Sequence, residues 1–215
     1  MFEFLEGDQI AFRGRSKRAL RLAIEAVFEL KASTLSDEFA FLHAGGVVLN
    51  GRAILLPGRS HAGKSSLVEA FLRRGASYLS DDMIPIDRKL RAHPFPRAIG
   101  RRAAPGMPPL KISLRSLGAR VALRPAPIDV MWCGLYEPAI SRATFQVHTG
   151  RAAFAQLLPH APGARSRPDV AIPILTRLAT NASVFSGVRG DADQAAEAVI
   201  ALLDSRRRKV SHSTE

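Results

Sequence analysis

A single cysteine, Cys133, stands among 215 residues. It can form neither an internal disulfide nor a cysteine-based zinc site, so a reducing, cytoplasmic setting is expected. No apolar run approaches 18 residues, which excludes an ordinary transmembrane helix and leaves no membrane partner to expect. The opening MFEFLEGDQ is acidic where a secretory signal is basic, and no long apolar stretch follows it. Aromatic residues are scarce at 7%, so a core must come mainly from Ala, Leu, Val and Ile. Acidic residues are also short, 19 against 31 Lys and Arg, for a net charge of +12. Only six of the cations are lysine. The excess fits either a bias toward arginine or an anionic partner such as a nucleotide, a nucleic acid or an acidic peptide. Charge alone does not choose. Hydrophobic residues at 47% and charged residues at 23% exclude wholesale disorder and suit one domain.

Residues 1–40 read as a lead-in of helix and loop, with Leu20, Ala23, Ile24, Val27 and Phe28 on one helical face. Residues 41–204 read as the main domain. Val47–Leu49 and Ala53–Leu56 are two expected strands, joined at Asn50-Gly51 by a type I′ turn. Ser65–Arg74 follows as a helix with Leu67, Val68, Phe71 and Leu72 on one face, ended by Gly75. Tyr78-Leu79 is a short strand running into Ser80-Asp81-Asp82. From Arg88 to Arg124 there are ten Lys and Arg and no acidic residue, so this stretch is expected either to hold an anion, with Arg97, Arg101 and Arg102 as candidates, or to form a solvated basic face. Further strands are expected over 128–134 and 183–188, and helices over 151–158 and 191–204. Residues 205–215 read as a flexible basic tail. Strand, loop, helix and strand in succession argue an α/β fold, and the hairpin argues a mixed sheet flanked by helices.

Gly58-Arg59-Ser60-His61-Ala62-Gly63-Lys64-Ser65 fits G-x-x-x-x-G-K-[ST], with an apolar strand before it and a helix after. Glycines allow backbone amides to turn inward around phosphate oxygens, and the helix N-terminus adds partial positive charge. A P-loop nucleotide site over residues 58–66, Ser66 included, is therefore expected. Lys64 would reach the β- and γ-phosphates, and the Ser65 hydroxyl is suited to Mg²⁺. Asp81 and Asp82 follow the next strand, where a doubly wound sheet delivers residues to its ligand crevice. One carboxylate can serve the metal while the other takes a proton from an attacking hydroxyl.

Residues 42–87 resemble the catalytic domain of the HPr kinase/phosphorylase family, and most of all its short stand-alone relatives. The likeness is carried by His43 opening a hairpin, by the P-loop that the second strand enters, and by Asp81-Asp82. His43 lies 21 residues before Lys64, and Asp82 lies 17 after Ser65, as in that family. The resemblance implies a phosphoenolpyruvate-carboxykinase-like P-loop fold. It also implies phosphoryl transfer from ATP or GTP with Mg²⁺. Asp82 would be the base that deprotonates an acceptor serine, His43 would assist near the transferred phosphate, and Asp81 with Ser65 would serve the metal. Two departures stand out: His61 replaces a small residue in the loop, and nothing between Asp87 and Asp129 is acidic where the family carries a metal-binding glutamate. Glu137 is the nearest substitute. No signature for phosphoserine hydrolysis is recognised, so phosphorylase activity is not expected.

The leading expectation is thus a Mg-ATP-dependent kinase acting on a serine of a small protein or peptide. Two alternatives stay open: a nucleotide-binding regulatory module whose chemistry has decayed, and a nucleic-acid-associated ATPase. The second is disfavoured by one Trp and two Tyr, too few for an aromatic-interleaved basic surface. Full-length members of the resembled family are hexamers, so a homo-oligomer is compatible with the resemblance.

Overall fold

The computed structural model of the chain describes residues 1–59, 62–101 and 110–212. Two strands, β1 (Phe2–Glu6) and β2 (Gln9–Gly14), form an antiparallel hairpin before α1 (Lys17–Leu35). Next come β3 (Ala40–Leu49), β4 (Arg52–Pro57), α2 (Lys64–Arg73), β5 (Ser77–Ser80), β6 (Met83–Ile86) and β7 (Arg91–Ala92). A second two-stranded ribbon pairs β8 (Ile99–Arg101) with β9 (Leu110–Ile112). The chain closes with β10 (Ala126–Tyr136), β11 (Gln146–His148), α3 (Gly150–Leu157), α4 (Gly163–Ser166), α5 (Pro168–Asn181), β12 (Ser183–Arg189) and α6 (Ala192–His212).

Eight strands make one sheet in the order β11-β12-β10-β4-β3-β6-β7, with β5 also on β3. Among the described residues, β4, β10 and β12 run parallel to one another and every other strand pairing of this sheet is antiparallel, with an isolated parallel bridge from Tyr78 to Val121. The expected mixed α/β sheet flanked by helices is therefore present. Asn50 and Gly51 adopt φ of 51° and 75°, the two left-handed positions a type I′ turn needs. That turn pins the β3–β4 register from Leu49 opposite Arg52 to Ala44 opposite Pro57.

Strand β4 is buried on both faces, and its residues alternate between two cores. Ala53 and Leu55 point to the layer filled by Leu157, Ile174, Leu175 and Leu178 from α3 and α5. Ile54 and Leu56 point to Leu67, Val68 and Phe71 of α2 and to Val199 of α6. Each such Leu, Ile, Val or Phe side chain, fully removed from water, contributes about 1.5–3 kcal/mol. Helix α2 lies so close to the sheet that a Cβ on Gly45 would come within 2.8 Å of Val68. The sheet and α2 thus hold the loop between them from both ends.

Several elements differ from the sequence reading. The first forty residues hold the β1–β2 hairpin as well as the expected helix. Residues 205–212, read as a loose tail, continue helix α6. Helix α5 has no counterpart in the expected elements. It starts with Pro168 in its first turn and buries Val170, Ala171, Ile174, Leu175 and Leu178. No helix among the described residues is long and apolar enough to cross a membrane.

Candidate functional site

The site forms where β4 ends, and strand register explains which side chains meet there. Ala44 on β3 pairs with Pro57, so the preceding residue, His43, lies beside the loop that leaves β4; the Gly58 amide donates to the His43 carbonyl at 3.4 Å. On its other edge β3 is followed first by β5 and then by β6, with His43 opposite Met83. Asp81-Asp82 occupy the bend between those two short strands. There the Ala44 amide donates to the Asp82 carbonyl at 2.9 Å. The carboxylate pair therefore does not crown a parallel strand of a doubly wound sheet, as expected. It sits at a break in an antiparallel run, which turns both side chains toward the loop.

Lys64, at the start of α2, folds back over the loop. Its ammonium donates to the carbonyls of Gly58 at 2.7 Å and Arg59 at 3.0 Å, and approaches His43 Nε2 at 3.0 Å. An ammonium has only donors, so Nε2 accepts and the ring proton lies on Nδ1. That proton faces Asp82 Oδ1 at 2.9 Å. A continuous line from Lys64 through His43 to Asp82 results. Burial lowers the Lys64 pKa, opposed by the charges of Asp82 and Asp81.

The two neighbouring carboxylates differ in environment. Asp81 is 9% exposed; its Oδ2 accepts from Ser65 Oγ at 2.8 Å and from the Gly100 amide at 3.1 Å. Its Oδ1 is buried without a hydrogen-bond partner among the described residues. Burial pushes its pKa up to about 6, against the bonds from Gly100 and Ser65. The Asp82 side chain is 44% exposed. Burial raises its pKa too, but the His43 hydrogen bond and the nearby charges of His43, Lys64 and Lys111 outweigh that and hold it low.

Ser65 and Asp81 supply a hydroxyl and a carboxylate with one buried oxygen still unmatched, a donor set that fits Mg²⁺. No group of three His, Cys, Asp or Glu suited to a metal occurs among the described residues, so phosphate and water oxygens would have to complete such a shell. Gly58, Arg59, Ala62, Gly63, Lys64 and Ser65 lie together at the end of β4. Ser66 is exposed in the first turn of α2. Ser60, His61 and Arg102 lie outside the described residues. Glu137 is exposed just beyond β10, its amide donating to the Arg189 carbonyl at 2.8 Å.

Two residues of the site, Arg189 and His160, are not among the sequence-based candidates, whereas Arg97 is. Arg189, at the last position of β12, is 2% exposed and donates to the Gly63 carbonyl at 2.6 Å and the Gly190 carbonyl at 2.8 Å. Its guanidinium also lies 5.3 Å from the centre of the Tyr136 ring. Gly63 has φ +77°, and a Cβ there would meet Arg189 Nη2 at 2.3 Å. His160, in the 3₁₀ turn after α3, is pushed down to about 4 by burial and by the charges of His43, Lys64 and Arg59. It stays neutral at pH 7. Arg97, from the basic stretch, reaches Asp82 Oδ2 at 3.4 Å and Glu25 on α1 at 3.0 Å, and also contacts Glu29. The only advance signals were a strand ending in arginine for Arg189 and the absence of acids over 88–124 for Arg97.

No protein-family model matches the chain, and no curated protein matches it in sequence. Among solved structures it is similar to the Hpr(Ser) kinase/phosphatase from Coxiella burnetii, at 13% identity and a TM-score of 0.46, over 81% of this chain and 94% of that one. A likeness of that size leaves the site to be judged on its own geometry.

Proposed function

We propose that the chain is a Mg-ATP-dependent kinase that phosphorylates a serine hydroxyl on a small protein or peptide. The observation that carries this reading is the hydrogen-bonded line Lys64–His43–Asp82 at the mouth of the loop, with Ser65 and Asp81 beside it. A nucleotide-binding module without chemistry has no need for an exposed, ionised carboxylate oriented by a histidine two bonds from the phosphate lysine.

In this reading the backbone around Gly58, Gly63 and the start of α2 cradles the phosphates, and Lys64 exchanges its loop carbonyls for phosphate oxygens. The serine Oγ attacks the γ-phosphorus. The Oγ–P bond forms while the bond to the β–γ bridging oxygen breaks, and ADP leaves with that electron pair. Asp82 accepts the serine proton, and His43, donating from Nδ1, holds its carboxylate in place. Mg²⁺, held by Ser65 and Asp81, would neutralise phosphate charge. Arg189 keeps the Gly63 carbonyl turned away from the phosphates, so amides rather than carbonyls face them. Cytoplasmic location, a serine-bearing acceptor and the choice between ATP and GTP belong to the same proposal.

The test is transfer of label from γ-labelled ATP to serine-containing peptide pools, with calorimetry of Mg-ATP binding alongside. Binding with transfer supports the reading. Binding without transfer to any pool would leave a nucleotide module in its place.

A further inference from the structure

Beside Asp82 runs a groove of about 710 Å³ between α1 and the segments 95–98 and 111–114. Its wall on α1 carries Leu22 and Phe28, and its opposite wall carries Phe95, Pro96 and Leu114. Phe28 is 62% exposed although it stacks with Phe95, ring centres 6.5 Å apart. Apolar surface of this kind, left open beside a reactive carboxylate, is suited to a side chain from another molecule.

The charges around it have one sign to spare. Arg18, Arg21, Arg97 and Lys111 line the groove, against two carboxylates, Glu25 and Glu29. Both carboxylates are engaged, Glu25 by Arg97 and Arg21 and Glu29 by Arg97, so little negative charge is left for an incoming cation, and Arg18 and Lys111 are the cations to spare. Arg97 also joins the groove floor to Asp82, and the Lys111 charge is felt at that same carboxylate. A chain lying in the groove would therefore pass Arg97, whose guanidinium is 3.4 Å from Asp82 Oδ2.

We infer that this groove is the docking site for the acceptor polypeptide, and that it selects a segment with an apolar side chain and acidic residues flanking the serine. Leu22, Phe28 and Phe95 take the apolar side chain. Arg18 and Lys111 take the acids, Arg21 adds its exposed charge while paired to Glu25, and Arg97 aligns the hydroxyl with Asp82. This rests on the kinase reading, which it deepens by naming the acceptor's chemistry. Complementary charge of this kind governs encounter and specificity more than raw affinity, so it should appear in kcat/KM.

Two pools of fluorescent peptides test it, each with a fixed central serine and leucine. One pool has Asp and Glu at the flanking positions, and the other has Lys and Arg. The full chain should phosphorylate the acidic pool at least about 10-fold more efficiently, as expected when rim charges steer association. The double variant R18E/R21E should lose that preference or reverse it. R52E, at the far end of β4, changes charge away from the groove and should keep it. No preference in the wild type, or equal effects of R52E and R18E/R21E, overturns the inference. Fluorescence anisotropy separates this failure from failure of the kinase reading, because it needs no turnover. Acidic-pool binding that R18E/R21E abolishes supports the groove even where no phosphate moves. Two further results overturn it: preferential binding of a labelled oligonucleotide, or a concentration-dependent dimer that F28D dissociates.

Discussion

The loop after β4 and the groove under α1 are joined through Arg97 and Asp82, yet they are built from different materials. The loop is made of backbone, and buried groups fix it from behind: Arg189 on the Gly63 carbonyl, and a sheet buried on both faces beneath. The groove is made of side chains on a half-exposed helix, with Leu22, Phe28 and Leu35 still facing water. Phosphates are the same in every nucleotide, so a rigid backbone cradle suits them. Polypeptide side chains vary, and a surface of long, adaptable residues suits those. Asp81 is buried against Ser65 and the Gly100 amide while Asp82 is half-exposed beside His43 and Lys64, and their opposite pKa shifts follow from that difference.

The largest effect should come from Asp82→Asn, which attacks the junction while sparing the cradle. An amide of the same shape cannot accept the serine proton. Transfer should fall by about 10²–10⁴-fold with Mg-ATP affinity little changed in calorimetry. Near-normal transfer would remove Asp82 from the role of base.

Lys64→Ala attacks the cradle itself. Transfer should fall by roughly 10²–10³-fold, the scale seen when one donor to developing charge is lost. Here the defect should appear in nucleotide affinity as well, unlike that of Asp82→Asn. Unchanged Mg-ATP affinity would sink the assignment of the nucleotide site.

Gly63→Ala tests whether the cradle is held from behind. The new Cβ meets Arg189 at a backbone position of φ +77°, so strain and crowding add. A loss of about 3 kcal/mol in denaturant unfolding is expected, with weaker nucleotide binding. A further Arg189→Ala change should recover part of it, which a merely local backbone strain would not allow.

The smallest effect concerns Asp81 in the metal-free protein. Its pKa is raised from the ordinary 3.8 to about 6, so its favourable contribution is complete below pH 4 and lost as pH rises through about 6. Asn carries no charge at any of these pH values. The stability of Asp81→Asn relative to wild type should therefore improve between pH 4 and pH 7, by about 2 kcal/mol. Asp82, held low by His43, should show the opposite slope in Asp82→Asn, with wild type gaining relative to the variant as pH rises. A difference that stays flat with pH for Asp81→Asn would place that carboxylate in a wetter setting than its burial implies.

The elements most readily legible in the sequence were those whose signal is local. Asn50-Gly51 requires two left-handed residues and dictates a hairpin wherever it lies between apolar runs. The 58–65 motif needs only its own glycines, its lysine and the strand and helix around it. Helix α5 escaped because Pro162, Pro168 and Pro173 punctuate its segment, while its stability comes from burying Ile174, Leu175 and Leu178 against the sheet. The continuation of α6 past residue 205 escaped because the polar run looks like a tail when read alone.

The residue types of the site, a loop lysine, a serine, a histidine and two aspartates, were set by the sequence alone. Their division of labour was not. Asp81 and Asp82 are adjacent and chemically identical. Only the break between β5 and β6 turns one toward Ser65 and the Gly100 amide and the other toward His43. Arg189 and Arg97 lie 126 and 33 residues from Gly63 and Lys64 respectively, and a strand end and an acid-free stretch do not say which groups they meet. Position in the tertiary structure decides their roles, because burial and partner distance set what a guanidinium does, and neither is written in the order of the chain.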